Sequence, residues 1–545
     1  MKTIWTKFCR DIGAFRIACA GNVAITFAFA TLPVIGITGY AVDFSHANAV
    51  KAAMQAALDS TALMLAKDAA TLNSTDLNTK ANNYFKALFT KPEAASVTVS
   101  AVYSATGGSN VVVSGSAAVP TSFLRALNVI VPNANLDNII VSGSSTAKWG
   151  STRLRVALAL DNTGSMADAG KMTALKSATK SLLTQLQNAA STNGDVYVSI
   201  VPFSRDVAVD GTSNYSGNWI DWTDWAAAPA GSTPSMSVGP GDDCPWTGSN
   251  GYTCTTGPVN GSSTTSTIPS SGTYKGYICP SKNSGTGSYY NGCYNSTTYS
   301  MTGSSATCTG HSHCSCSGNN NNKTCKTDNG YYEHAWISNA TSTWNGCITD
   351  RGNTATPSSA NYDQNVTAPV SGTPASYYPA EQYTMCSQSM MGLNYDWTSM
   401  NSLVDAMTPN GNTNQPIGLV WAWQSLVGGG PLNAPAMVSG YTYQQIIILL
   451  SDGLNTQDRW YSSANTIDKR MYDSANSGAG TCANIKAAGI TIYSIQVNTG
   501  GDPLSTLMQN CASDTNKFWM LTSASQIMNV FTTIGTNLTQ LRVAK

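Results

Sequence analysis

Four stretches of this chain are almost free of polar residues over strand-like lengths: "RVALAL" (Arg155 to Leu160), "VYVSIVPF" (Val196 to Phe203), "IIILL" (Ile446 to Leu450) and "ITIYSIQV" (Ile490 to Val497). A strand with one wet face alternates apolar and polar residues, so near-continuous apolar runs predict strands covered on both sides. Helical spacing lies between them, as in Leu175, Ala178, Leu182 and Leu186, and "FWML" (Phe518 to Leu521) reads as a shorter fifth strand. Strands alternating with helices predict an α/β domain with a doubly wound, mostly parallel sheet. Its last helix carries one stripe, Ile527, Phe531, Ile534, Leu538 and Leu541, behind a capping box of Ser523 and Gln526.

In such a sheet the ligand site lies outside the carboxyl ends of the strands. "LALDNTGSM" ends the first strand in Asp161, Thr163 and Ser165 at alternate positions, and "LLSDG" ends another in Asp452. "PNGNTNQPIGLVWAW" places Thr413 in a loop before a helix. Carboxylates and hydroxyls without His or Cys suit a hard cation. Asp-x-Thr-x-Ser alone also describes an ordinary capped turn; three pieces in order on one rim point further. The pattern resembles the metal-ion-dependent adhesion site of von Willebrand factor A domains, written Asp-x-Ser-x-Ser, then Thr, then Asp. The resemblance implies Mg²⁺, or another hard divalent cation such as Mn²⁺ or Ca²⁺, held by Thr163, Ser165 and Thr413, with Asp161 and Asp452 acting directly or through water. An open metal position would accept a carboxylate from a protein partner.

Residues 17–42 contain no charge; Lys2, Lys7, Arg10 and Arg16 precede them and Asp43 comes directly after. The expectation is a transmembrane anchor over 17–43, with residues 1–16 cytoplasmic and the bulk periplasmic, in a single-pass protein of a bacterial inner membrane. Ala28-Phe29-Ala30 offers a signal-peptide cleavage site instead, but the apolar run continues past it. Val50, Met54, Ala57, Leu58, Thr61 and Leu65 extend the helix as a stalk, and "SVTVSAVYS" and "NVVVSGSAAV" add strands, predicting a small α+β module over 44–150.

The segment "RIACAGNVAITFAFATLPVIGITGYAVDFSHANAVKAAMQAALDSTALMLA" resembles the N-terminal region of TadG-like proteins of the Tad (Flp, tight-adherence) pilus systems. Thr26 stands where related minor pilins carry a glutamate used in processing, so the chain departs from a polymerising subunit at that position.

The A-type domain, 151–545, is expected to be interrupted over 205–395 by an irregular insertion rich in Ser, Gly, Asn and Cys. With 14 cysteines the compartment should be oxidising. Disulfides are expected among Cys244, Cys254, Cys279, Cys293, Cys308, Cys314, Cys316, Cys325, Cys347 and Cys386, whose pairing sequence leaves open. "HSHCSC", His311 to Cys316, with Cys325 nearby, is the zinc alternative. Cys482 and Cys511 are predicted to pair, with two buried free thiols as the alternative. Trp219, Trp222 and Trp225 suit the packing of a loop base, or sugar stacking.

Lys and Arg together number 29, as do Asp and Glu, at 11% charged residues, so no electrostatic case exists for nucleic acid. No catalytic motif is visible, and the chain reads as a non-enzyme. The reading is a membrane-anchored, metal-dependent protein-binding component of Tad/Flp pilus assembly or adhesion, with other pilus or envelope proteins as partners. A stand-alone surface adhesin whose Cys-rich insertion contacts the target is the alternative.

Overall fold

One long helix, α1 (Ala20–Ala66), joins the apolar N-terminal stretch to the core of the first of two units. The computed structural model describes residues 20–543 except 107, 127–135, 150–151, 232, 248–251, 259–261, 283–289, 299–301, 304–313, 320–323, 328–331, 353–368 and 429–430. The chain divides at residue 152: the first unit takes 1–152, 438–441 and 543–545, the second 153–437 and 442–542.

In the first unit, α1 and α2 (Ser74–Leu88) cover an antiparallel sheet of β1 (Ala95–Ser104), β2 (Ser109–Pro120) and β3 (Asn138–Trp149), in that order. Val50, Met54, Ala57, Leu58 and Leu65 recur at three- and four-residue steps, so one helix face meets Leu77, Ala81 and Phe85 of α2 and Val111, Val113 and Val141 of the sheet. Each fully buried Leu- or Val-sized side chain contributes about 1.5–3 kcal/mol.

The anchor expected over 17–43 is corrected here. Among the described residues no helix is long and apolar enough to cross a membrane; residues 17–19 lie outside them. Thr31, Pro33 and Thr38 interrupt the described apolar stretch. Its end is engaged by protein: a Cβ on Gly39 would meet Phe123 Cβ at 2.5 Å, and the Asp43 carboxylate accepts the backbone N–H groups of Ser122, Phe123 and Leu124 at 2.7–3.0 Å. The membrane helix in the expected fold class, the single-pass inner-membrane topology, and the membrane as a partner all fall with it.

The second unit holds β4 (Thr152–Asp161), α3 (Lys171–Ala189), β5 (Val196–Phe203), β6 (Met391–Asn394), α4 (Trp397–Ala406), α5 (Gln415–Val427), β7 (Thr442–Ser451), α6 (Ala464–Met471), α7 (Thr481–Ala487), β8 (Thr491–Val497), α8 (Thr506–Cys511), β9 (Phe518–Leu521) and α9 (Gln526–Val543). The sheet order is β6-β5-β4-β7-β8-β9. The pairs β4–β5, β7–β8 and β8–β9 are parallel, and β6 is an antiparallel edge. Alternate residues feed opposite cores. Ala157, Ala159, Val201, Phe203, Ile447 and Leu449 meet Ile417, Trp421 of α5, Ile485 of α7 and Met508 of α8. Leu158, Leu160, Val198, Ile200, Ile448 and Leu450 meet Leu175 and Leu182 of α3, Val404 of α4 and Phe531 and Ile534 of α9. A disulfide joins Cys482 of α7 to Cys511 of α8.

The insertion has two layers. Its root is woven into the first core: short strands Val207–Ala208, Cys347–Ile348, Tyr378–Glu381 and Ile220–Asp221 form one small sheet. Val207, Trp219, Trp225, Trp344, Ile348 and Tyr378 are buried there, and Cys347 is bridged to Cys386. Trp219 meets Trp421 edge-on at 6.4 Å, a packing contact. The outer layer is a lobe with a five-stranded sheet, Tyr332–Ser338, Gly292–Thr298, Tyr277–Lys282, Tyr252–Thr255 and Thr264–Thr265. It has its own core of Trp246, Cys254, Ile268, Ile278 and Tyr294 and two bridges, Cys244–Cys254 and Cys279–Cys293. The lobe leaves and rejoins the root at neighbouring points, where Trp225 Nε1 donates to the Asn339 carbonyl at 3.0 Å and Trp336 Nε1 to that of Ala226 at 2.9 Å. Cys308, His311 and His313 lie outside the described residues. Cys316, which stands opposite Cys325 on paired strands, is disulfide-bonded, and Cys314 shares its strand.

Candidate functional site

The β4 strand ends where Asp161 turns the chain. Its buried carboxylate accepts Thr163 N–H at 2.8 Å and the Thr163 hydroxyl at 2.5 Å on Oδ1, the local side-chain bond by which an Asp makes a turn. Oδ2 accepts the Ser451 hydroxyl at 2.6 Å and the Asp452 N–H at 3.4 Å. Ser451 ends β7 as Asp161 ends β4, so neighbouring strands deliver both acids to one rim. Ser165 Oγ donates to Asp452 Oδ1 at 2.7 Å and lies 3.1 Å from Thr163 Oγ1. Burial, and secondly the charge of Asp452, push the Asp161 carboxyl up to about 6, against the bonds from Ser451 and Thr163.

Thr413 is buried in the adjoining loop. That loop is stitched to the first by Gly164 N–H donating to the Gly411 carbonyl at 2.9 Å and Asn162 Nδ2 to that of Thr408 at 2.6 Å. Among the described residues no hydrogen bond links the Thr413 hydroxyl to either carboxylate; its backbone N–H donates to Thr456 Oγ1 at 2.8 Å.

Sequence reading misses Lys171, Gln415, Ser451 and the acids behind them. Lys171 Nζ lies 2.5 Å from Asp452 Oδ2. Gln415 Nε2 donates to Ser451 Oγ at 3.1 Å and to the Gly453 carbonyl at 2.8 Å. Asn414, next to Thr413, donates from Nδ2 to the Arg205 carbonyl and to Asp350 Oδ2, both at 2.9 Å. Asp350 also binds the fully buried Arg470 at 3.0 Å, which pairs with Asp458 at 3.1 Å. Arg205 pairs with Asp206 at 2.9 Å and with Glu381. The insertion's root is therefore tied to the Thr413 loop by buried charges. Burial raises Asp458 to about 7, with the Asp350 charge adding to it, and burial raises Asp206 to about 8 against the pull of Arg205. Only the identity of a distant partner, not any local spacing, could have signalled this network.

The rim's donors are oxygens of the kind a hard cation prefers, and in this structure they are hydrogen-bonded to one another and to Lys171. Both Asp452 oxygens are engaged, one by Ser165 and one by the Lys171 ammonium. Among the described residues no group of three or more His, Cys, Asp or Glu could hold a metal. This corrects the metal-dependent reading of function. With it goes the partner carboxylate docking on an open metal position.

The Tad family model, described as Flp pilus-assembly TadE/G-like, matches residues 21–67, a short N-terminal part of the chain. No curated protein matches. The pilus adhesin SpaC of Lactobacillus rhamnosus GG, in its open conformation, is similar at 11% identity and a TM-score of 0.29, over 83% of this chain and 35% of the adhesin, so this chain spans about a third of that protein. The PilB minor pilin of Streptococcus sanguinis is similar at 11% identity and a TM-score of 0.29, over 83% of this chain and 80% of PilB. The vWF domain of the type V pili tip protein Mfa5 of Porphyromonas gingivalis shares 9% identity at a TM-score of 0.29, over 71% of this chain and 95% of that domain. Scores this low say nothing of what this chain binds. The β6-β5-β4-β7-β8-β9 sheet itself gives the fold: a doubly wound, mostly parallel α/β sheet with cysteine-stabilised loops.

Proposed function

We propose that this chain is an adhesion-type protein that meets a protein target through the outer lobe of its insertion. The observation that carries the reading is an aromatic cluster on that lobe. Tyr252, Tyr290 and Trp336 are half-buried around the buried Trp246 and Tyr294, with ring centroids 5.1–6.4 Å apart. Tyr290 donates to the Tyr252 hydroxyl, which donates to the Ala230 carbonyl. Tyr and Trp held rigid with one face open are the residues that dominate protein interfaces, because they add large contact area at small entropic cost. The two bridges of the lobe fix that surface before binding, and the buried ion pairs of the root join it to the α/β domain. Affiliation with a Tad-type pilus system rests on residues 21–67 alone and belongs to the same proposal.

The test uses cells that naturally produce the protein. After deletion, attachment to a solid surface is measured on complementation with wild type and with a Tyr290→Ala, Trp336→Ala double variant, with surface amounts matched by immunoblot. The reading expects the double variant to fall at least tenfold, equivalent to about 1.4 kcal/mol. Attachment equal to wild type refutes it.

A further inference from the structure

We infer that Lys171 is the resident counter-ion of the Asp161–Asp452 rim: its ammonium neutralises Asp452, the carboxylate a divalent ion would need, and only its removal turns the rim into a divalent-cation site. Three observations carry this. First, Lys171 is buried, its side chain 7% exposed, against an Asp452 side chain at 0%, with Nζ to Oδ2 at 2.5 Å. Two charges buried together in this way are each other's counter-ion, and removing either strands the other.

Second, Lys171 is the first residue of α3. Helix N-termini favour negative groups and oppose a lysine, so Asp452, and not the helix, holds the charge there. The chain is bent to deliver it: Ala169 and Gly170 take left-handed conformations, φ 53° and 71°, immediately before Lys171. For Ala169 that conformation is strained, and the Lys171–Asp452 pair lies directly after it.

Third, the donors are already satisfied. Asp161 accepts from Thr163, Ser451 and Asp452, and Asp452 accepts from Ser165 and Lys171. A divalent ion drawing on both Asp452 oxygens must evict the ammonium from Oδ2, whereas the Ser165 hydroxyl can donate to Asp452 and still offer a lone pair. Eviction parts Lys171 from Asp452 at a helix N-terminus, which disfavours a cation. With methionine in its place, the two carboxylates face each other without a counter-ion, which is what a hard cation relieves.

The experiment is isothermal titration and thermal unfolding of the purified full chain in EDTA, MgCl₂ or MnCl₂. Wild type and Lys171→Arg are expected to unfold at the same temperature in all three, without a stoichiometric binding heat. Lys171→Met should unfold at a lower temperature in EDTA, recover in MgCl₂ or MnCl₂, and bind the ion at least tenfold more tightly than wild type. Lys171→Met with Asp452→Asn, lacking both charges, should fold and ignore the ion. Wild type binding Mg²⁺ as tightly as Lys171→Met overturns the inference. So does a Lys171→Met chain that no divalent ion binds or restores while the double variant folds.

Discussion

Replacing Asp161 by Asn probes the electrostatics of the rim directly. Asp161 is fully buried, and its carboxyl is pushed from 3.8 up to about 6, by burial first and the Asp452 charge second. A rise of about two pH units at about 1.4 kcal/mol each amounts to about 3 kcal/mol. The sign is set by the folded chain holding the proton more tightly than the unfolded chain. Well below about pH 4 Asp161 is protonated in both states and the folded chain keeps its full stability. As pH rises through about 6 the folded side chain must ionise in place beside Asp452, with Lys171 beyond it, and about 3 kcal/mol is lost, levelling off above. Asn keeps an acceptor for Thr163 N–H and has no charge to bury; turning Ser451 from donor to acceptor costs about 1 kcal/mol at all pH values. Urea unfolding in EDTA, monitored by tryptophan fluorescence between pH 4 and 7.5, gives the assay. Wild type minus Asp161→Asn should fall by about 2.4 kcal/mol across that window, the rest of the loss lying below pH 4. Parallel profiles would refute the assignment of the shift to this carboxyl.

The packing sets three further outcomes. Arg470→Met leaves Asp350 and Asp458 buried without their shared cation and should cost about 3–5 kcal/mol in urea unfolding; Asp458, already raised to about 7, should make that loss smaller at pH 5 than at pH 8. Cys482→Ser with Cys511→Ser opens a bridge of sequence separation 29 and should lower stability by about 3–4 kcal/mol, read under non-reducing conditions against wild type. Asp43→Ala removes the acceptor of three backbone N–H groups and should cost about 2–3 kcal/mol, with faster amide exchange at Ser122, Phe123 and Leu124 as its local signature.

The α/β sheet is legible in sequence because strands buried on both faces must be written in aliphatic residues, and Ile446 to Leu450 or Val196 to Phe203 leave no other comfortable conformation. The placing of Asp161, Thr163, Ser165 and Asp452 on one rim is legible for the same reason: each sits at or just past a strand end, and strand ends share an edge. Lys171 is not. It opens an amphipathic helix, where a lysine ordinarily faces water, and only the turn at Ala169 and Gly170 aims it inward. The root of the insertion is hidden because its strands are two to four residues long and find partners far along the chain, Val207 with Ile348 and Ile220 with Tyr378. Composition therefore describes 205–395 as one irregular loop, although Trp219, Trp225 and Trp344 belong to the main core. The apolar N-terminal run misleads in the opposite direction: hydropathy counts residues and does not show that Gly39 and Asp43 engage the 121–124 loop.

Excision of the outer lobe tests the adhesion account most directly. Trp225 and Asn339 are hydrogen-bonded across the base of the lobe, so residues 228–337 can be replaced by a short Gly-Ser linker while the root, its Cys347–Cys386 bridge and the sheet stay in place. In cells lacking the native protein, surface attachment should return with the full chain and stay at the deletion level with the excised chain, produced in equal amount and unfolding cooperatively. Full attachment by the excised chain would contradict the account.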